Sequence, residues 1–254
     1  MPSWEHAIAP SGVAGIMGGL VEDRKPPATD AEISEVIDAY ATSAQHAFQL
    51  GFDGVALHGG HGYLIDQFLW RRTNHRADSF GGDHRNRARF AAEIVGACRR
   101  RTAPNFPIFL RISQWKLQDY DARLVDTPDE LAELLEPLAD AGIDVFDCSQ
   151  RRFWESAFAG SPLNLAGWAK TLTGRTTMSV GSVGLQQEMM SSLAGNSSDT
   201  APLDVLIGML EREEFDLIAV GRALLADPRW AAKIRSGDTA ALRPFEPEAL
   251  KILS

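Results

Sequence analysis

The sequence has few of the features that mark secreted or membrane-spanning proteins. Its 254 residues include only two cysteines, Cys98 and Cys148, without metal-ligand spacing, so we expect two buried free thiols. No apolar run is long enough to span a bilayer, and the N-terminal MPSWEHAIAP lacks the basic and then apolar layout of a signal peptide. The sequence therefore predicts a cytoplasmic protein that works without a membrane.

Positive charge is also scarce. The 25 lysines and arginines are outnumbered by 34 aspartates and glutamates, which gives a formal net charge of −9 at pH 7. Such a surface disfavours non-specific attraction to nucleic acid or anionic lipid, although a local basic pocket can still hold one phosphate. We therefore predict a small-molecule substrate as the partner, and no nucleic acid.

What the sequence does contain is a regular alternation of helical and strand-like segments in one globular domain. Residues 1–29 are predicted to be an irregular lead-in with room for a short hairpin, and residues 30–254 to form βα units. Amphipathic helices are predicted to begin near Asp30, His84 and Pro128. Five short apolar runs read as strands, at 55–58, 107–113, 144–149, 176–182 and 216–222.

This alternation predicts a parallel sheet with the chemistry at the C-terminal ends of its strands. The ends of the five runs carry the residues His58, Arg111, Ser149, Gly181 and Arg222. Because five units do not close a (β/α)8 barrel, an open doubly wound sheet is an equal alternative on topology alone. The latter would normally place a glycine-rich phosphate cradle after its first strand, where this sequence has two histidines.

The loop after the first strand contains His58, His61 and Tyr63 in the pattern H-x-x-H-x-Y. Two imidazoles whose N–H groups converge can polarise a carbonyl oxygen and stabilise an enolate. A nearby phenol can then deliver a proton to carbon. The histidines could instead only cap backbone groups of the loop. A metal site fits poorly, because no third ligand lies within reach, so we predict none.

Two later loops suit a phosphate group. Gly181 and Ser182 follow the next-to-last strand, and Gly221 and Arg222 follow the last one. Barrels often bind phosphate with the loops after their last two strands, through backbone N–H groups. Hence we predict that these two loops and the Arg222 guanidinium hold a phosphate.

Residues 51–90, GFDGVALHGGHGYLIDQFLWRRTNHRADSFGGDHRNRARF, resemble the signature stretch of the old yellow enzyme family, FMN-dependent NADH:flavin oxidoreductases. In that family an H-x-x-H or H-x-x-N pair binds the substrate carbonyl oxygen over the flavin. The tyrosine two residues later is the proton donor. The resemblance assigns these roles to His58, His61 and Tyr63. The usual Ser-Pro after the leucine is replaced by Trp70 and Arg71, which could reshape the substrate side.

The resemblance covers almost the whole chain and implies a partial (β/α)8 TIM barrel that lacks its first strands, with about five C-terminal βα units. It implies FMN as the cofactor and NAD(P)H as the reductant, with hydride transfer through the flavin to an activated, enone-like C=C bond. The implied cofactor contacts are the Arg111 side chain at the flavin ring and, around the phosphate, Gly181, Ser182, Gly221 and Arg222. Arg111 could alternatively form an ion pair with Asp147.

The sequence leaves two other functions open. A flavin-free barrel that acts as an isomerase or an aldolase on a phosphate-ester substrate would use the same phosphate loops. It needs a lysine or carboxylate at a strand end, and Lys116 lies beyond the strand that contains Arg111. The second alternative is a remnant without flavin binding or catalysis. Such a remnant could assemble as a homo-oligomer through an open sheet edge.

Overall fold

The computed structural model of the protein describes residues 8–16, 19–21 and 26–251. Two short 3-10 turns, Thr239–Ala241 and Pro247–Leu250, follow the last helix. The helices and strands before them are, in chain order, β1 (Ala14–Ile16), β2 (Gly19–Val21), α1 (Asp30–Gln49), β3 (Val55–His58), α2 (Leu64–Leu69), α3 (His84–Arg101), β4 (Ile108–Ser113), α4 (Pro128–Asp140), β5 (Val145–Ser149), α5 (Leu165–Thr173), β6 (Thr176–Val180), α6 (Met189–Leu193), α7 (Asp204–Glu211), β7 (Leu217–Ile218), α8 (Arg222–Ala226) and α9 (Trp230–Ser236).

The helices begin where the sequence offers capping residues. Thr29 accepts a hydrogen bond from the backbone N–H of Glu32, whose carboxylate accepts the N–H of Thr29, so α1 begins with a capping box. Thr127 and Glu130 form the same arrangement at α4, and Asp83 caps α3. These caps explain why the predicted starts of the three helices are confirmed.

The main sheet consists of five parallel strands in the order β3-β4-β5-β6-β7. His58 lies opposite Arg111 on the neighbouring strand, and Arg111 lies opposite Asp147 on the next. Consecutive helices α1, α3, α4 and α5 pack on one another along the outside of the sheet. A doubly wound sheet reverses its strand order at a switch point, and this sheet does not, so the arrangement is that of a barrel wall.

The two faces of the sheet differ in their exposure. Leu57, Leu110 and Phe146 point towards the helices and are buried in the main core. On the other face, which would be the interior of a barrel, Phe109 is only half-buried and Leu217 is exposed. Because side chains alternate along a strand, the same difference is seen at alternate residues of β3, β6 and the first four residues of β4, whereas β5 is buried on both faces. The five strands thus form a wall with a packed outer face and a partly open inner face.

Several details differ from the sequence-based expectations. The predicted strand at 216–222 is wrong in length, because β7 ends at Ile218 and Arg222 already begins α8. β7 is an edge strand that pairs only with β6, so it has ladder hydrogen bonds on one side alone. The predicted strand at 176–182 stops at Val180, since Ser182 takes a left-handed φ of 52°.

The N-terminal lead-in contains a short hairpin, and both cysteines are buried. Within the predicted lead-in, β1 and β2 pair as an antiparallel hairpin, while residues 1–7, 17–18 and 22–25 lie outside the described residues. Cys98 and Cys148 are buried free thiols, as predicted. No helix in the described ranges is long and apolar enough to cross a bilayer.

The unequal faces of the sheet predict unequal costs for two similar substitutions. Phe146→Ala should lower the free energy of unfolding by about 3–5 kcal/mol, because it leaves a cavity in the packed core. Phe109→Ala, on the adjacent strand, should cost about half as much or less, since its ring already contacts water. Urea unfolding followed by circular dichroism measures both. Equal costs would show that the inner face is as closed as the outer one.

Candidate active site

The short loop between β3 and α2 brings the three predicted catalytic side chains together. The ring centroids of His58 and His61 are 5.2 Å apart, and those of His58 and Tyr63 are 4.9 Å apart. The chain turns sharply because His61 has a left-handed φ of 61°, which is uncommon for a residue other than glycine and often marks functional sites. Tyr63 is the N-terminal cap residue of α2 and remains 53% exposed.

His61 is held by one residue at the end of β5 and one in the loop after β4. Its Nε2 lies 2.8 Å from the hydroxyl oxygen of Ser149 at the end of β5, and its ring stacks on Trp115 with centroids 4.2 Å apart. If the Ser149 hydroxyl donates to Nε2, the proton of a neutral imidazole resides on Nδ1, so Ser149 can select the tautomer. Ser149 had a sequence signal as a strand end, whereas Trp115 had none.

Both histidines have lowered pKa values. Burial, together with the positive charges of His58, Arg111 and Lys116, lowers the pKa of His61 to about 3. Partial loss of water and the Arg111 charge also lower the pKa of the more exposed His58. A neutral imidazole carries one N–H donor and one acceptor nitrogen. At neutral pH each ring can therefore donate one hydrogen bond to a substrate oxygen.

A cavity next to this cluster is lined by several arginines. It opens at the C-terminal ends of the strands, and His61, Arg111, Arg151 and Arg222 contribute to its walls. The described residues that line it include three arginines but neither a carboxylate nor a lysine. In a chain with a net charge of −9, this concentration of arginine favours an anionic ligand.

All four residues of the two predicted phosphate loops line this cavity, namely Gly181, Ser182, Gly221 and Arg222. In the described part of the chain, the backbone N–H groups of Gly181, Ser182 and Gly221 have no hydrogen-bond acceptor from the protein. The turn at Ser182, with its left-handed φ, is of the kind that directs successive N–H groups into a concave anion site. The structure thus brings the two loops together at one cavity.

The arginine side chains themselves are held by the protein. Arg222 donates to the carbonyl oxygens of Gln187 and Glu188 at 2.7 and 3.2 Å, and its guanidinium lies 5.7 Å from the ring centroid of Phe245. Arg111 forms an ion pair of 2.6 Å with Asp147, which is the alternative contact expected from the sequence. Burial raises the pKa of Asp147, an effect that the Arg111 charge opposes. Both guanidinium groups therefore sit at the cavity with part of their donors already used.

Lys116 does not reach the cavity. It is fully buried behind the histidine loop and forms an ion pair of 2.8 Å with Asp66. A Schiff-base or general-base lysine must reach the substrate, so this position disfavours the flavin-free alternative. No group of three residues that could bind a metal occurs within the ranges that the structure describes.

The strand order and the inner-face site define the chain as part of a (β/α)8 barrel, and solved structures show the same fold. The old yellow enzyme homologue from Zymomonas mobilis matches 94% of this chain with a TM-score of 0.66 and 21% identity. Morphinone reductase in complex with tetrahydroNAD matches 96% with a TM-score of 0.68 and 22% identity. The chain covers 61% and 62% of those two structures.

Sequence relatives identify the family. Residues 21–240 match the model of the NADH:flavin oxidoreductase / NADH oxidase family. An NADPH dehydrogenase from Clostridium acetobutylicum is 30% identical over 247 residues, which are 94% of this chain and 65% of the relative. An NADPH dehydrogenase from Bacillus velezensis is 31% identical over 212 residues, which are 83% of this chain and 57% of the relative. The chain belongs to the NADH:flavin oxidoreductase / NADH oxidase family, and the resemblance to old yellow enzymes is confirmed.

The low pKa of His61 predicts a loss of stability in acid. Below the ordinary pKa of 6.5 the unfolded chain binds a proton at His61 that the folded chain rejects down to about pH 3. The stability that His61 contributes is thus present above pH 6.5 and is lost as the pH falls towards 3. Between pH 6.5 and 5.5, the free energy of unfolding should therefore fall by about 1 kcal/mol less in His61→Gln than in the parent.

Urea unfolding at a series of pH values measures this dependence. His46→Gln, at an exposed position of α1, serves as the matched control and should leave the pH profile as it is in the parent. An identical profile for His61→Gln and the parent would show that His61 titrates in the folded protein as it does in the unfolded chain.

Proposed function

We propose that the chain, as a single incomplete barrel domain over residues 1–254, forms the substrate and phosphate side of an FMN-dependent NAD(P)H oxidoreductase of the old yellow enzyme type. The proposed reaction is the reduction of an activated C=C bond next to a carbonyl group. One observation carries the proposal: the neutral histidine pair and Tyr63 lie beside an arginine-lined cavity free of described carboxylates. Membership of the NADH:flavin oxidoreductase / NADH oxidase family supports NAD(P)H as the reductant.

The residues of the cavity suit FMN. The free backbone N–H groups of Gly181, Ser182 and Gly221 would hold the phosphate. A Cβ atom added at Gly221 would meet no atom within 4 Å, so there is open space beside this backbone. Arg111 would contact the flavin ring and stabilise negative charge on it. Hydride transfer is the chemistry that FMN supplies when bound.

The histidine loop would bind and orient the substrate. The N–H groups of His58 and His61 would donate hydrogen bonds to its carbonyl oxygen and stabilise the negative charge that develops there during reduction. Ser149 would keep the His61 proton on Nδ1 by donating to Nε2. Tyr63 would give its hydroxyl proton to the carbon next to the carbonyl, and because its side chain is exposed, solvent can restore that proton.

The role assigned to the phosphate loops predicts the effect of Arg222→Ala on FMN binding. The dissociation constant should rise about tenfold or more, because the cavity loses a positive charge and the Gln187 and Glu188 carbonyl groups lose their donor. Quenching of FMN fluorescence on titration with the chain measures the affinity. Arg212→Ala, which removes an exposed surface arginine, is the control and should bind FMN as the parent does.

This titration, together with a calorimetric titration of the chain with inorganic phosphate, separates the competing functions. Binding of inorganic phosphate without FMN would support the flavin-free barrel, and binding of neither would support the remnant. An unchanged FMN affinity in Arg222→Ala would reject the proposed role of this arginine.

The histidine loop predicts different kinetics for its members in the FMN-loaded protein. Tyr63→Phe should leave flavin reduction by NAD(P)H intact but slow reoxidation by an enone about 10²- to 10⁴-fold, because the proton donor is lost. His58→Ala and His61→Ala should weaken enone binding as well, since each removes a donor to the carbonyl oxygen. Stopped-flow absorbance of the two half-reactions measures both effects. Parent rates in all three variants would show that the loop is structural.

A further inference from the structure

A buried ion pair lies directly behind the histidine loop. Asp66 in α2 and Lys116 after β4 are both fully buried, and Nζ of Lys116 lies 2.8 Å from Oδ1 of Asp66. The ammonium group also donates to the carbonyl oxygen of Ser113 at 2.9 Å and lies 5.7 Å from the ring centroid of Trp70. Burial of two charges costs free energy that an ion pair often does not recover. Its presence here therefore points to a role other than stability.

The carboxylate of Asp66 holds the turn of the histidine loop from one side. Its second oxygen, Oδ2, accepts the backbone N–H of Gly62 at 2.6 Å. Gly62 has a φ of 81° and His61 a φ of 61°, so two successive residues are left-handed. For the non-glycine residue this conformation costs about 1–2 kcal/mol, which external contacts must offset. The bond from Gly62 to Asp66 is such a contact.

The segment around Lys116 holds the same turn from the other side. The backbone N–H of His61 donates to the Ser113 hydroxyl oxygen at 2.8 Å, and its carbonyl oxygen accepts the N–H of Leu117 at 3.2 Å. Lys116 lies between these two residues and binds the carbonyl group of Ser113. The ion pair therefore connects the two segments that hold the backbone of His61.

We propose that the Asp66–Lys116 pair is a positioning device for His61. It fixes the left-handed turn, so that the imidazole stays stacked on Trp115 with Nε2 at the Ser149 hydroxyl. The pair acts through the backbone and touches no substrate. This inference rests on the proposed function only for the role of His61, which is to bind the substrate. The geometry of the turn itself can be tested without flavin.

Three variants separate positioning from stability. Asp66→Asn keeps the side-chain volume but leaves one acceptor oxygen for two donors. Lys116→Met removes the ammonium group and leaves a buried unpaired carboxylate, so it should destabilise the fold most. The double variant Asp66→Asn/Lys116→Met removes both charges with little change in volume. It should therefore stay folded, with a Tm above that of Lys116→Met alone.

The readout is the state of the His61 ring in the full chain without flavin. The sequence has six histidines, so selective ¹⁵N labelling gives a small set of ring signals, and His61→Gln identifies the one that belongs to His61. In the parent we expect a single neutral tautomer between pH 5 and about pH 8, in keeping with the low pKa of His61. In the double variant we expect averaged ring nitrogen signals, because His61 leaves its place at Ser149.

A second Asp–Lys ion pair, with a buried aspartate and a half-buried lysine, provides the control. Nζ of Lys233 lies 2.6 Å from Oδ2 of Asp227, which is also buried, but this pair joins α8 to α9. Asp227→Asn/Lys233→Met should lower Tm without changing the His61 signals. A folded Asp66→Asn/Lys116→Met variant with the parent's His61 signals would overturn the proposal, as would an equal change in the control. If the double variant does not fold, the His61 signals of Asp66→Asn decide in the same way.

A second readout connects the pair to the proposed reaction. In FMN-loaded Asp66→Asn/Lys116→Met, the KM for an enone should rise about tenfold, which corresponds to the loss of roughly one hydrogen bond. The rate of flavin reduction by NAD(P)H should stay unchanged. The ring signals of His61 decide the positioning role even if no enone is reduced. Failure of the proposed function is thus distinguishable from failure of this inference.

Discussion

The parallel register of β3, β4 and β5 places His58, Arg111 and Asp147 side by side on the inner face of the sheet. This register is fixed by the opposite face, where alternate residues of the same strands pack against the helices. A shift of one residue would move the site into the core and expose the core to water. The packing of apolar side chains on the outside therefore determines which polar side chains meet on the inside.

The charges of the site depend on one another. Arg111 is balanced on one side by Asp147, and on the other its charge helps to keep His58 and His61 neutral. The same positive potential makes the neighbouring cavity suitable for an anion. One arginine thus connects the histidine pair to the part of the site that we assign to the cofactor, and a change at Arg111 is expected to alter both.

Much of the fold could be predicted from local sequence. The capping boxes at Thr29 and Thr127 and the apolar runs are local signals, and they gave helix starts and strands that the structure confirms. Strand order is not encoded in periodicity, so the choice between a barrel and a doubly wound sheet needed the resemblance. The stacking of Trp115 on His61 and the Asp66–Lys116 pair were missed because each joins residues about fifty positions apart. The length of β7 was missed because an edge position cannot be seen in its composition.

The left-handed backbone at His61 restricts which amino acids that position can accept. Most side chains avoid this conformation, whereas asparagine, aspartate and histidine are enriched in it. Of these three, aspartate as a carboxylate has no hydrogen to donate, so only histidine and asparagine combine tolerance of the turn with an N–H donor. These are the two residue types found at this place in the old yellow enzyme signature. The backbone angle, together with the hydrogen-bond donor that the proposed function requires, leaves histidine and asparagine as the two residue types suited to this position.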